Sequence, residues 1–351
     1  MKNSLRSFAA LCGILATVAP AFAAQEAVTN PIGVMNFTIP AGTGTTRTVS
    51  TLSLPLHDTA TAAGQMVGRI TGVTATTLSN ASGNWTAGQL SVAATPHILR
   101  VTSGNATGRT FLISTTTPNT ATTLTIDASD ALDTDLTTLG ITANATTGDT
   151  YEIVPCDTLA SVFGTPATLG VLGGATAAAA DTVTLLDGVT PKTYFYSTTL
   201  GRWTRQALGS PDASNTPIRP DAGLNYSRLG NSAITFSLFG SVPSTSRKSV
   251  VRNSGPTYLA MGWPIDLTLT QLAIQTIPTW TTGANANVAD TVQVFISGLW
   301  RTYWFDGTNW RRQALGSPIS DSQVIPAGSN VILNQRGTST GISLLAQIKP
   351  Y

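Results

Sequence analysis

One string of six residues occurs twice, and it constrains the fold more than any other feature of the chain. Residues 206–211 and 313–318 both read QALGSP, and their starts lie 107 positions apart. Ahead of the string, each copy carries Thr-Tyr and two further aromatic residues, then a turn, then a Trp-x-Arg segment. Solenoid repeats are usually much shorter than this spacing. The two strings therefore predict a duplication on the scale of a domain.

Further matches extend both copies. The string ADTV occurs at 180–183 and at 289–292, where it opens a strand pattern, and a turn containing Pro, Ala and Gly follows each QALGSP. Alternating apolar residues around these points are typical of short strands. We predict two β repeat units, at 158–240 and 270–351, joined by a connecting segment at 241–269.

The aromatic stretch of each copy has the pattern of a β-hairpin. Asp-Gly at 306–307 is a strong turn signal between two strands. Strand alternation then places Tyr303 on one face and Trp304 on the other, while Trp203 or Trp310 returns on the second strand for cross-strand aromatic pairing. Both faces of each hairpin are aromatic, so at least one face must be covered.

The rest of the chain also favours β structure. About one residue in six is Thr, which suits half-exposed strands, and no long amphipathic helical pattern occurs. Residues 24–64 show two alternating segments, which we predict to be amino-terminal strands. Residues 65–157 contain five or six short strand patterns and one helical turn, which predict a small barrel or roll. The fold class predicted is all-β and modular.

The first 23 residues have the pattern of a secretory signal peptide. Lys2 and Arg6 precede a short apolar run, and a small-x-small site ends at Ala23. The run is too short for a transmembrane anchor. We expect an exported protein that is extracellular or at the cell surface, with the periplasm as the alternative.

Charge and cysteine content restrict the partners. The chain has 19 Lys+Arg and 17 Asp+Glu, and loss of Lys2 and Arg6 leaves 17 of each. A neutral chain favours self-association and argues against nucleic acid, which requires a basic face. Cys12 leaves with the signal peptide, so Cys156 remains alone, either as a buried small residue or in an interchain disulfide.

Several of these strings, in this order, resemble a known family. They are 31–56, SGNATGRTFLI at 103–113, TTLTID at 122–127, DLTTLG at 135–140 and GDTYEIVPCDTL at 148–159, followed by ADTV and the hairpin motifs. Together they look like an uncharacterised family of secreted β-rich paralogous proteins of Verrucomicrobia-type bacteria. The resemblance covers most of the mature chain. It implies export but no activity, so no catalytic residue follows from it.

No catalytic pattern stands out in the sequence. His57 and His97 are far apart, and no zinc-binding His spacing is present. We therefore predict a protein that is not an enzyme and has no catalytic residues.

An acidic run offers the one candidate metal site. Asp127, Asp130, Asp133 and Asp135 could supply oxygen ligands to Ca²⁺, although their spacing is not that of an EF-hand. The alternative is that Asp133 and Asp135 cap a helical turn, because a carboxylate at this position accepts hydrogen bonds from the first backbone amides. No other cofactor is predicted.

Two functional hypotheses follow. The first is a secreted, non-enzymatic structural or surface protein that acts through contacts with itself or with other envelope or extracellular proteins. The second is a glycan-binding, adhesin-like module, because Tyr and Trp side chains stack on sugar rings. Its candidate residues are Tyr194, Tyr196, Trp203, Tyr303, Trp304 and Trp310. An outer-membrane β-barrel ending at Tyr351 is a third reading, but repeated ten-residue strands with an apolar outer face are missing.

Overall fold

A computed structural model describes residues 31–56, 66–128, 135–186, 190–338 and 340–351. The predicted signal peptide, His57, Asp130 and Asp133 lie outside the described residues. Strands account for 39% of the described residues and helices for 6%. The prediction of an all-β fold is confirmed.

The strands are short and numerous. In chain order they are β1 (Ile32–Ile39), β2 (Thr48–Leu52), β3 (Met66–Arg69), β4 (Gly72–Val73), β5 (Thr77–Ser79), β6 (His97–Val101), β7 (Thr110–Leu112), β8 (Thr123–Thr125), β9 (Thr150–Pro155), β10 (Thr182–Leu185), β11 (Lys192–Ser197), β12 (Arg202–Arg205), β13 (Leu224–Arg228), β14 (Ile234–Ser241), β15 (Arg247–Arg252), β16 (Gly255–Ala260), β17 (Leu267–Thr268), β18 (Thr291–Ile296), β19 (Leu299–Phe305), β20 (Trp310–Arg312), β21 (Val324–Ile325), β22 (Asn330–Gln335) and β23 (Ile342–Gln347). The helices are α1 (Leu159–Phe163), α2 (Pro166–Leu169) and the 3-10 turns Leu136–Leu139, Ala177–Ala179 and Ile274–Thr276.

Two five-stranded antiparallel sheets have the same strand order. One runs β12-β11-β10-β13-β2 and the other runs β20-β19-β18-β22-β16. A two-stranded ribbon accompanies each of them, β1 with β14 and β15 with β23. We name strands β1, β2 and β10–β14 the first β unit, and strands β15, β16, β18–β20, β22 and β23 the second β unit. The strands of residues 24–64 and of the segment 241–269 thus complete these two arrangements.

The pairing register identifies counterparts in the two β units. Val183 of ADTV lies opposite Tyr194, as Val292 lies opposite Tyr303. Each of these tyrosines is buried in the apolar core of its own unit. Because side chains alternate across a strand, one matched pair fixes which residues share a face along the whole hairpin.

Residues 66–155 form a module between β2 and α1. Its four-stranded sheet has the order β3-β9-β6-β7, and its three-stranded sheet has the order β4-β5-β8. A single bridge between Ile113 and Ile126 links the two sheets. In the described part of this module the sheets form an open roll, so the alternative of a closed small barrel is wrong. The roll encloses its own core around Leu99, Phe111 and Ile153.

The two β units meet at the ends of their strands, and the contacts are reciprocal. The turn before β13 reaches the end of β16 through a bridge between Ala222 and Leu259. The turn before β22 reaches the chain just after β2, where the Ser53 backbone N–H donates to the Gly328 carbonyl at 2.7 Å. Reciprocal contacts between matching surfaces are the mark of a two-fold relation. The units therefore face each other about an approximate two-fold axis.

Candidate functional site

The predicted aromatic residues form the cores of the hairpins. Tyr196 lies opposite Trp203 with ring centroids 6.1 Å apart and rings perpendicular, and Phe305 lies opposite Trp310 at 5.5 Å. The predicted cross-strand pairing is therefore confirmed. Of the six candidates for sugar stacking, five are buried: Tyr194, Trp203, Tyr303, Trp304 and Trp310. The sixth, Tyr196, is half-buried, and its hydroxyl donates to the Gly201 carbonyl.

The second face of each hairpin is covered by the Ala-rich loop that precedes ADTV. Phe195 packs with Ala177 and Ala180 in the first β unit. Trp304 packs with Ala286 and Ala289 in the second. Small side chains allow the loop backbone to approach the ring closely, which explains why these loops are rich in Ala. Both faces of the hairpins are thus covered within the chain, and the flat faces of these rings have no room for a sugar.

The aspartate of each ADTV string fastens the same loop to the sheet. Asp181 is fully buried, and its carboxylate accepts hydrogen bonds from the backbone N–H of Leu172 and Leu229 and from the hydroxyl of Tyr226. It also pairs with the buried guanidinium of Arg228. Burial, with the nearby carboxylate of Asp181 as a further cause, raises the pKa of Tyr226. Such a network has a structural role, because every group in it is occupied.

The two QALGSP strings have the same conformation. The Gln206 and Gln313 backbone N–H groups donate to the carbonyls of Thr193 and Thr302, which are counterparts in the two aromatic strands, at 2.8 Å in both copies. Gly209 and Gly316 adopt left-handed φ values of 80° and 77°. Glycine adopts this region without a steric cost, so the turn itself accounts for glycine at this position. The string forms a tight protruding turn, which we name the QALGSP knuckle.

The leucine of each knuckle is not explained by packing within the chain. Leu208 and Leu315 have relative exposures of 104% and 103%. Turn geometry requires glycine and small residues here, but it places no demand on a branched apolar side chain that contacts no core. Single exposed apolar residues are common on protein surfaces, so the informative observation is that the same leucine is fully exposed at the same position of both knuckles.

A second exposed apolar surface lies on the ribbon of the first β unit. Val34 of β1 pairs with Phe239 of β14, and both are more than half exposed, as is Ile32 on the same face of β1. We name these three side chains the ribbon patch. Contiguous exposed apolar groups of this kind mark interaction sites more often than isolated ones do.

A polar cavity of about 440 Å³ lies beside the hairpin of the second β unit. It is lined by Ala284, Trp304, Asp306, Thr308, Asn309, Arg311 and Ser317. Sequence reasoning singled out Trp304 as an aromatic and Asp306 as a turn residue, but it missed Arg311. The register offers a signal for Arg311, because it lies directly opposite Trp304 and therefore shares its face.

The acidic run lies partly within the described residues, at Asp127 and Asp135, and partly outside them, at Asp130 and Asp133. Asp135 caps the 3-10 turn Leu136–Leu139, where its carboxylate accepts from the Thr137 backbone N–H at 2.9 Å, and Gly140 ends the turn in the left-handed conformation. The hydrogen bonds from Thr137 lower the pKa of Asp135. Among the described residues, no group of three His, Cys, Asp or Glu side chains could hold a metal ion. Nor does any helix in that part of the chain have the length and apolarity to cross a bilayer.

Cys156 lies at the junction of the module and the first β unit. It is buried, its thiol lies 3.4 Å from the Ile218 carbonyl oxygen, and burial raises its pKa. A thiol must ionise to react with alkylating or disulfide reagents.

We therefore expect Cys156 to react with a thiol reagent at least about 100-fold more slowly in the native protein than in concentrated urea. The rate of reaction with a chromogenic disulfide reagent measures this difference. Equal rates in the two conditions would show that the thiol is accessible, and would restore the interchain disulfide as its role.

No protein-family profile, curated protein or solved structure matches the chain. The resemblance to secreted β-rich proteins of Verrucomicrobia-type bacteria stays a prediction. Function is therefore inferred from the geometry of the chain itself.

Proposed function

We propose that the protein is an exported, non-enzymatic surface protein that assembles with further copies of itself through its two QALGSP knuckles. Leu208 and Leu315 are the anchor residues. The observation that carries this proposal is that both side chains are fully exposed on turns of the same conformation.

Comparison of the two β units supports a contact outside the chain. Core residues differ between counterparts, with Phe195 in the place of Trp304 and Tyr196 in the place of Phe305, while all six knuckle residues are the same. Packing within the chain constrains the identity of a residue only where that residue contacts its neighbours. Burial of a Leu side chain in an interface stabilises the complex by about 1.5–3 kcal/mol. Each exposed knuckle leucine could therefore contribute to binding a partner.

Charge and surface favour a second copy as the partner. The mature chain has 17 basic and 17 acidic residues, so no long-range repulsion keeps copies apart. The ribbon patch of Ile32, Val34 and Phe239 offers an apolar surface on which a knuckle leucine of another copy can pack. A contact between two different surfaces is heterologous, and it extends into rings or filaments. Two knuckles per chain add avidity to each contact.

The test is the size of the purified mature chain, measured by sedimentation across a concentration series. Wild-type protein is expected to assemble, and the double variant Leu208→Ser/Leu315→Ser is expected to weaken assembly by at least about 100-fold, because two buried leucines are lost. Leu200→Ser is the matched control, since Leu200 is exposed on the neighbouring turn but lies outside the knuckle. Thermal unfolding of each variant verifies the fold.

Two results would contradict the proposal. One is a wild-type chain that stays monomeric at high concentration. The other is a double variant that assembles as the wild type does.

A further inference from the structure

We propose that the cavity beside Trp304 binds a neutral saccharide. This site adjoins the knuckle of the second β unit through Ser317, but Leu315 does not line it, and the proposal goes beyond the proposed assembly. Its volume of about 440 Å³ is within the range of small-molecule sites, which spans roughly 300–1,000 Å³. Trp304 lines this space together with charged and amide side chains, those of Asp306, Arg311 and Asn309.

Trp304 supplies the first feature of a ligand site. The side chain is only 2% exposed, and its Nε1–H has no hydrogen-bond partner among the described residues. Trp263, Trp280 and Trp310 share this lack of a partner, but none of these three lines the cavity. Buried donors in native proteins nearly always have an acceptor. A ligand oxygen in the cavity would provide one for Trp304.

Asp306 and Arg311 form a fixed ion pair at the same cavity. The Arg311 Nε donates to Asp306 Oδ2 at 2.7 Å, and Arg311 Nη1 donates to the Ser317 carbonyl at 3.3 Å. Asp306 Oδ1 accepts from the backbone N–H of Thr308 and of Asn309, both at 2.8 Å. The Asn309 backbone hydrogen bond, followed by those from Arg311 and Thr308, lowers the pKa of Asp306 to about 2. The Asp306 carboxylate is therefore ionised at any physiological pH.

The arrangement favours a neutral polyhydroxyl ligand over a charged one. An anion attracted by Arg311 would be repelled by the carboxylate of Asp306. A cation attracted by Asp306 would be repelled by the guanidinium of Arg311. A sugar hydroxyl both donates and accepts, so neighbouring hydroxyls match a carboxylate beside a guanidinium and an indole N–H. The side chains of Thr308 and Asn309 add further donors and acceptors at the rim.

The first β unit lacks this set of groups. Phe195 lies opposite Thr204 there, in the same register as Trp304 lies opposite Arg311. Ser197, at the end of β11, takes the place of the aspartate. Three polar groups that can recognise hydroxyls are thus specific to the second β unit.

The experiment is calorimetric titration of the mature chain with neutral trisaccharides of glucose, galactose and mannose, with oligogalacturonate as the charged comparison. At least one neutral trisaccharide is expected to bind, with an affinity that changes little with salt. Trp304→Phe keeps the ring but removes the N–H, and is expected to weaken binding about 10-fold. Arg311→Thr, which copies the residue of the first β unit, is expected to weaken it about 100-fold.

Trp300→Phe is the matched control, because Trp300 is a partly exposed Trp on the same hairpin that does not line the cavity. Its binding is expected to equal that of the wild type. The proposal is overturned if no neutral trisaccharide binds at millimolar concentration, if only the charged oligosaccharide binds, or if folded Trp304→Phe binds as the wild type does.

Discussion

Asp181→Ala is expected to destabilise the chain by about 3–5 kcal/mol, since the substitution leaves a buried guanidinium without its counter-charge. Asp181 and Arg228 are both buried. The carboxylate also accepts from three backbone N–H groups and one tyrosine hydroxyl, and each of these donors would lose its acceptor. The loop before β10 would lose its attachment to the sheet.

Urea unfolding monitored by tryptophan fluorescence measures the change in free energy of unfolding. Asp290→Ala, the counterpart in the second β unit, is expected to cost less, about 1–3 kcal/mol, because Asp290 accepts from the backbone N–H of Thr281 and Arg336. Asp212→Ala is the surface control. Asp212 lies 3.6 Å from Arg202 with both side chains well exposed, and such a pair is worth at most about 1 kcal/mol. A loss below about 1 kcal/mol for Asp181→Ala would contradict the assigned role.

Trp203→Ala is the second substitution with a large expected effect, about 3–5 kcal/mol, because it leaves a cavity in the core of the first β unit. The ring is buried against Tyr196 and Phe163, and its Nε1–H donates to the Gly164 carbonyl at 2.7 Å. Trp310→Ala is expected to have a similar effect in the core of the second β unit.

Hydrogen exchange read by mass spectrometry locates each loss. Trp203→Ala is expected to raise exchange first in β10–β13, and Trp310→Ala first in β18–β22, since each core belongs to one sheet. Trp300→Ala, at a partly exposed site, is the control and is expected to cost under about 1 kcal/mol. A small effect of Trp203→Ala on unfolding would mean that the ring is not part of the core.

Local patterns in the sequence were enough to predict the hairpins. Alternation and the Asp-Gly turn gave the faces of Tyr303 and Trp304, and the return strand gave the pairing of Tyr196 with Trp203. These predictions succeeded because the partners are few residues apart, so one turn fixes the register. The cap at Asp135 was predictable for the same reason.

Distant pairing left no such signal. Strand β2 joins the first sheet beside β13, and the partners Leu52 and Leu224 are separated by the whole module. The open roll was ambiguous because closure depends on which edges meet, not on the strands themselves. The exposure of Leu208 depends on the left-handed turn that follows it, and the ion pair of Asp306 with Arg311 depends on side-chain direction. Composition and hydrophobic periodicity alone indicate neither which distant strands pair nor where a side chain points.

The inserted module determines when each part of the chain can be finished during synthesis. Ile39 of β1 pairs with Ile234 of β14. At ribosomal speeds of about 5–20 residues per second, roughly 10–40 s therefore pass between the synthesis of β1 and the synthesis of its partner. The roll between them can fold during that wait, since its strands pair only with one another. A nascent β1 meanwhile carries unsatisfied backbone groups and apolar side chains, which is the state that holding chaperones recognise. Strand β1 is thus made first but can dock only after the whole roll and strands β10–β13 have been made.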